Sequence, residues 1–243
     1  MTLNKGACLY EGKAKRIYAT EYPDQYWVEY KDDATAFNGE KKDVLQGKGR
    51  LNNEISSLIF SLLKQDGIDS HFIKRISENE QLVKKVEIVP LEVVVRNIAA
   101  GSLVKRLGME RGTVFPEPVL EFYYKDDSLG DPLVNNEHIR VMELAAEEEL
   151  ETMKEIALKV NEKLKVIFSA IGTSLVDFKL EFGRDAEGRI LLADEISPDT
   201  CRLWDEETGE SLDKDLFRFG TGNLQDGYET ILKRLGSVDT CSK

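Results

Sequence analysis

Two carboxylates and a lysine, Glu181, Asp194 and Lys179, stand in a stretch whose pattern could bring them together: VDFKLEFGRDAEGRILLADEISPDTCRLWD (176–205). Val176, Phe178, Leu180 and Phe182 alternate with Asp177, Lys179 and Glu181, so a strand here has an apolar side and a charged side. A second apolar run, 190–196, follows Asp185-Ala186-Glu187-Gly188. A two-residue turn at Glu187-Gly188 would make a hairpin of the two runs and set Glu181 directly opposite Asp194. Like charges opposed on a ladder, with Cβ atoms about 5 Å apart, destabilise it unless one is protonated, both reach water, or a cation lies between them. An all-oxygen ligand set suits Mg²⁺ or Mn²⁺. The same register puts Ile190 and Leu192 on that face as an apolar floor, beside Lys179. A hard cation, an ammonium group and an apolar shelf are what a bound ATP requires. A solvated hairpin face is the alternative.

Two further spots carry charge suited to phosphate. Gly12 precedes Lys13 and Lys15 in a turn between strand candidates, where backbone N–H and ammonium groups could drape over phosphates. G-x-x-x-x-G-K-[ST] is absent, so this is no Walker A loop, and a purely structural turn stays open. Ser102 falls near the N-cap of a short helix, with Arg96 before it and Lys105 and Arg106 after it, which together resemble a pocket for a phosphate monoester. A role for Ser102 as a cap alone is the alternative. His71 and His138 have no histidine or cysteine nearby at ligand spacing and read as ordinary surface or hydrogen-bonded residues.

These groups need a scaffold, and 243 residues suffice for one large domain or two lobes. A net charge of −12 argues against a nucleic-acid or anionic-membrane binder, but not against a small anionic substrate held by a local basic cluster. Cys8, Cys201 and Cys241 include no C-x-x-C pair, so neither a disulfide framework nor a zinc site is expected, and a reducing compartment is. With no apolar signal core and no run of membrane-spanning length, the expected location is the cytoplasm. Strands are expected over 3–30 and 71–97, with Pro90 as a break that marks a hinge. Residues 32–39 and 112–136 read as loops, the second as a substrate lid, and Gly47-Lys48-Gly49 as a flexible spot. Apolar spacing predicts helices over 52–65, 146–171 and 224–235, with 236–243 as a frayed tail.

Eight stretches, in order along nearly the whole chain, carry a resemblance: LYEGKAKRIY (9–18), KDDATAFNG (31–39), GKGRLNNE (47–54), LVKK (82–85), VVRNIAAGSLVKR (94–106), LVDFKLEFG (175–183), LADEISPDTCRLWD (192–205) and LDKDLFR (212–218). The chain resembles the SAICAR synthetase family, the phosphoribosylaminoimidazole-succinocarboxamide synthases. The resemblance implies an α+β fold of two lobes related to ATP-grasp and kinase lobes. On that reading a β-rich nucleotide-binding lobe spans 1–88, and an α+β substrate- and metal-binding lobe spans 89–243. It also implies a reaction in which ATP, an imidazole ribotide carboxylate and L-aspartate give the succinocarboxamide, ADP and phosphate, with Mg²⁺.

Carried onto this chain, the resemblance has Glu181 and Asp194 hold Mg²⁺ on the ATP phosphates, with Lys13, Ala14 and Lys15 covering those phosphates. Leu82, Lys84 and Val86 would border adenine. Arg96, Ser102 and Arg202 would grip the ribotide, with Lys179 near the transferring group. Asp199, Lys214, Asp215 and Arg218 are candidates for orienting substrates, Asp199 as a catalytic group. Asn38 stands where some family members carry Asp and, without a charge, is given no catalytic role. A small-molecule kinase is the competing reading, because Asp177-Phe178-Lys179 on a strand also occurs in inositol-phosphate kinases. The partners expected are small molecules, with no nucleic acid or membrane, and the assembly is open, a homodimer included.

Overall fold

The computed structural model describes residues 4–36 and 39–239; Asn38 and Cys241 lie outside them. The chain opens with β1 (Cys8–Glu11), β2 (Lys15–Ala19) and β3 (Gln25–Tyr30), then a small ribbon of β4 (Asp33–Ala36) and β5 (Lys41–Val44). Helix α1 (Lys48–Gln65) follows, and β6 (Phe72–Arg75) and β7 (Glu80–Lys84) complete an antiparallel sheet in the order β1-β2-β3-β7-β6. Thus 33–36 forms a strand, not a loop. The Gly47-Lys48-Gly49 stretch is not a flexible spot: it starts α1. Both Asp32 carboxylate oxygens accept there, from the Gly47 N–H at 3.1 Å and the Gly49 N–H at 2.9 Å, and so satisfy donors that a helix start leaves unpaired.

The second half is built on β8 (Glu87–Ile98), α2 (Gly101–Leu107), β9 (Val114–Tyr124), β10 (Leu133–Val134), α3 (Asn136–Val141) and α4 (Glu147–Ser169). It continues with β11 (Thr173–Arg184), β12 (Ile190–Ala193), β13 (Cys201–Asp205), α5 (Asp215–Phe219) and α6 (Leu224–Asp239). Its antiparallel sheet runs β10-β9-β8-β11-β12, and β13 also pairs with β11. Helix α6 runs through Asp239, past the expected end at 235; the rest of the expected tail, 240–243, lies outside the described residues.

Alternation decides which face of this sheet is core. Leu91, Val93 and Val95 of β8 and Phe178, Leu180 and Phe182 of β11 point to one side. There they meet Leu150, Met153, Ala157, Val160, Leu164 and Phe168, spaced three or four apart on α4. Each large apolar side chain buried there contributes about 1.5–3 kcal/mol. The opposite face is left for polar residues.

Pro90, read as a break, and Pro116 and Pro118, in the segment read as a loop, all lie inside strands. Pro90 sits where β8 holds three residues, 89–91, between its Glu92 and Ile88 pairings against the single Phe182 of β11. Pro116 and Pro118 sit between the Ile98↔Val114 and Arg96↔Val119 pairings of β8 with β9. A bulge releases the backbone N–H from the ladder, and proline is tolerated there. Within 112–136, residues 114–124 are therefore a long strand, and the expected loop is confined mainly to 125–132.

Candidate active site

The polar face of the second sheet carries the chemistry. Register sets Glu92 of β8 directly opposite Glu181 of β11, and Arg96 opposite Asp177. Lys179 lies between the two glutamates and donates to Glu92 Oε1 at 2.6 Å and Glu181 Oε1 at 3.2 Å. Lys125 donates to the same Glu181 oxygen at 2.8 Å. Burial alone would lower the Lys179 ammonium, but Glu181, Glu92 and Asp194 outweigh it and hold it well above the ordinary lysine range. Lys179 is therefore a fixed cation that keeps 30% of its side chain exposed.

The hairpin register differs from the expected one. Glu181 pairs with Ala193, and Phe182 with Leu192. The Asp185 carbonyl accepts from the Gly188 N–H at 3.0 Å, and Asp185 Oδ1 accepts from the Glu187 and Arg189 N–H groups at 3.1 and 2.9 Å. Gly188 takes a left-handed φ of 77°. The loop is thus a turn plus one left-handed residue, three residues long, and the extra residue shifts every pair by one. Leu192 consequently joins the core with Phe182, and Ile190 packs against that core, so they form no floor beside Glu181.

Asp194 reaches the polar face by another route. Alternation would send it to the core side with Leu192, but it ends the strand with a φ of 58°. Its Oδ1 accepts from Lys15 Nζ at 2.6 Å, and Lys15 also lies 3.2 Å from Glu195 Oε1. Burial would raise the Asp194 carboxyl; Lys15, Lys179 and Lys125 reverse that and hold it well below the usual carboxylate range.

Next to this cluster a cavity of about 430 Å³ gathers Lys179, Asp199, Arg96, Ser102, Arg202, Lys214 and Arg218. Asp177 holds two guanidinium groups together, accepting from Arg96 and from Arg202, each at 2.8 Å. Asp215 accepts from Arg202 Nε at 2.9 Å and from Arg218 at 2.7 Å. A Cβ on Gly101, whose φ is 57°, would lie 2.6 Å from the Arg202 guanidinium, so only glycine seats Arg202 at the start of α2. Ser102 lies inside α2 and caps nothing, since the N-cap is Ala100; its Oγ is 3.5 Å from Arg96 Nη2. A cavity of about 450 Å³ beside Arg140 and Arg184 holds none of these groups.

Asp199 is enclosed. It accepts from Lys48 Nζ and from the Tyr228 hydroxyl, both at 2.5 Å, with Lys214 Nζ at 3.7 Å. Burial would raise its carboxyl, but Lys214 and Lys48 hold it well below the usual range. Burial, reinforced by Lys48 and only partly offset by Asp199, pushes the Lys214 ammonium down.

The Gly12 turn lies over the polar face, with Lys13 2.6 Å from Asp127 and Lys15 on Asp194. Val86 fits against Gly183, where an added Cβ would lie 2.5 Å from Val86 Cγ2. Leu82 and Lys84 are not brought to the Lys15 cluster: Leu82 pairs with Trp27 and Lys84 with Gln25, on the sheet face opposite Lys15 and Tyr30.

Sequence reasoning missed Glu92, Lys125, Lys48 and Tyr228. The alternation of Glu92 with Leu91 and Val93 was a usable signal. Lys48 was hidden between two glycines, and Tyr228 follows the apolar stripe of α6 like a core residue.

The family model for SAICAR synthetase matches residues 8–235. The chain belongs to the SAICAR synthetase family. A phosphoribosylaminoimidazole-succinocarboxamide synthase of Shouchella clausii is 62% identical over 96% of this chain and 98% of its own. The crystal structure of the Ehrlichia chaffeensis phosphoribosylaminoimidazole-succinocarboxamide synthase superposes with a TM-score of 0.92 at 47% identity, over 95% of this chain and 98% of that one. A SAICAR synthetase solved in complex with ADP gives a TM-score of 0.90 at 51% identity, over 93% and 96%. As a SAICAR synthetase, the chain is an ATP-dependent ligase of purine biosynthesis that joins L-aspartate to an imidazole ribotide carboxylate. The kinase alternative is not favoured. Among the described residues no helix is long and apolar enough to cross a membrane.

Proposed function

We propose that the ligase works through an acyl phosphate, with the nucleotide over the Lys179 cluster and the ribotide in the Arg96–Arg202 cavity. The observation that carries this reading is Lys179 itself, which pairs with Glu92 and Glu181 and also lines the arginine cavity. The ADP complex of a relative supports ATP as co-substrate. The ATP phosphates lie under the Gly12 turn, covered by Lys13, Ala14 and Lys15, and the base lies toward Val86, which packs on Gly183; Leu82 and Lys84, on the far face of the first sheet, are left out of this assignment. In this assignment residues 1–88 serve the nucleotide and 89–243 the second substrate and the metal, in the cytoplasm.

Glu181 and Asp194 fit Mg²⁺. Among the described residues no three His, Cys, Asp or Glu side chains form a cage of their own. Magnesium is commonly held by one or two carboxylates together with substrate phosphates, the donor set that Glu181, Asp194 and a bound nucleotide would supply. Once bound, the metal supplies charge neutralisation on the phosphates.

Arg96, Arg202 and Arg218, fixed by Asp177 and Asp215, bind and orient the anionic ribotide, with Ser102 at the same wall. The ribotide carboxylate attacks the γ-phosphorus of ATP; the bond to the bridging oxygen breaks and ADP leaves. Lys179 faces the charge that develops in this transfer, which depends mainly on positioning and electrostatics. The amine of L-aspartate then attacks the acyl carbon, phosphate leaves with the acyl oxygen, and a proton is released. Asp199, itself held from behind by the buried Lys48, acts by holding Lys214 at the cavity wall.

Measuring ADP release with each substrate omitted in turn tests the reading. ADP should appear only when ribotide carboxylate and L-aspartate are both present. Sustained release with the ribotide alone would instead support the kinase reading.

A further inference from the structure

His71 is buried, with 6% of its surface exposed, and stands between the two sheets just before β6. It makes three directional contacts. Its N–H donates to the Leu192 carbonyl at 2.7 Å, and its own carbonyl accepts from the Lys84 N–H at 2.7 Å. Its ring Nε2 lies 3.0 Å from the Asp194 carbonyl oxygen. A carbonyl only accepts, so Nε2 carries the proton in this bond. The ring is held in turn by Phe60 of α1, edge-on at 5.8 Å between centroids and 68° between planes.

The residue held in this way has an unusual backbone. Asp194 is one of three described non-glycine residues with positive φ, and it alone of them belongs to the carboxylate–lysine cluster. Such a conformation costs on the order of 1 kcal/mol or more and persists only where the surroundings impose it. Here it has a consequence: it turns the Asp194 carboxylate from the core side of β12 toward Lys15. The His71 ring grips the carbonyl of that same residue, and the His71 main chain ties the strand just before it to the end of β7.

We propose that His71 is a positioning residue, which holds the left-handed backbone of Asp194 and so aims its carboxylate at the metal–nucleotide end of the site. This rests on the assignment of Asp194 to the metal. It differs from an ordinary core role in predicting a selective defect, in metal–nucleotide binding but not in ribotide binding.

The test replaces the ring donor while keeping the packing. In His71→Phe the aromatic contact with Phe60 is retained and the donor is lost; in His71→Asn a shorter amide cannot reach the carbonyl. In His71→Gln the amide nitrogen stands close to where Nε2 stood. Affinity for Mn²⁺–ADP is measured by titration calorimetry without turnover, and the ribotide KM is measured separately. Loss of an outer partner of a metal ligand typically weakens binding about 10–100-fold, so about tenfold or more is expected for Phe and Asn, with recovery to within about threefold in Gln. The ribotide KM should stay within about twofold. Wild-type Mn²⁺–ADP affinity in either Phe or Asn overturns the inference, and so does an equal loss of both ligands that Gln does not rescue. Asp194→Asn separates the two layers: if it binds Mn²⁺–ADP normally the metal assignment itself is wrong, whereas weak binding there with normal binding in His71→Phe sinks only the role of His71.

Discussion

Lys15 Nζ and Asp194 Oδ1 lie 2.6 Å apart although 179 positions separate them in the chain. The contact joins the second strand of one sheet to the residue just past β12 of the other. Side-chain exposures of 14% and 25% leave the pair only partly screened. In a double-mutant cycle, Lys15→Met and Asp194→Asn should couple by about 1–3 kcal/mol in thermal or denaturant unfolding. Additive losses would show that the contact does not hold the two sheets together.

Glu181→Gln and Asp194→Asn should each lower turnover at least about 100-fold while circular dichroism stays native, since each removes charge from the phosphate end of the site. Near-normal magnesium-dependent turnover in both variants would defeat the metal assignment.

Arg202→Ala should act mainly on the ribotide. Asp177 keeps Arg96 and Asp215 keeps Arg218 when Arg202 is removed, so neither buried carboxylate is left unpaired. The ribotide KM should rise about tenfold or more, the ATP KM little, because one charge-assisted contact is lost from a single substrate. An unchanged ribotide KM counts against the cavity as its site.

Gly183→Ala should destabilise the fold by about 1–3 kcal/mol, as overpacking against a stiff β-branched neighbour does. The added Cβ would stand 2.5 Å from Val86 Cγ2. Adding Val86→Gly, which removes both Cγ2 and the Cβ that would stand at 2.7 Å, should restore part of the loss; a double variant that shows no coupling between the two changes would place the strain elsewhere.

Asp213 sets a pH dependence. Burial and Asp215 push its carboxyl up to about 7, against the Leu203 and Asp215 N–H groups and Arg202, which favour the ionised form. Cys201 of β13 and Tyr228 of α6 also feel its charge. The folded pKa lies above the unfolded value, so the folded state binds the extra proton. This contribution is fully present below about pH 4 and is lost as pH rises toward 7, with a slope of at most about 1.4 kcal/mol per pH unit. Asp213→Asn should flatten the fall in Tm between those limits, at a lower absolute Tm because an amide replaces one acceptor oxygen. A wild-type slope in the variant would assign the titration to another group.

Much of this protein is legible in its sequence. The alternation over 176–182 determines that Lys179 and Glu181 share a face that Phe178, Leu180 and Phe182 leave, because strand side chains alternate whatever lies next to them. The same holds for Glu92, Val94 and Arg96 of β8, and apolar spacing alone marks α4. The eight family motifs determine the family, and with it the reaction.

The neighbours of those residues were decided only in three dimensions. The like charge facing Glu181 is Glu92, on a strand 89 positions earlier, because the sheet places β8 between β9 and β11. Asp194 joins them not through hairpin register, which a three-residue turn shifts by one, but through a left-handed backbone with its carbonyl on His71. Local sequence sets which way a side chain points along its own strand. Which strand lies beside it, and where a residue departs from the ladder, depend on contacts between distant segments that must all be satisfied at once.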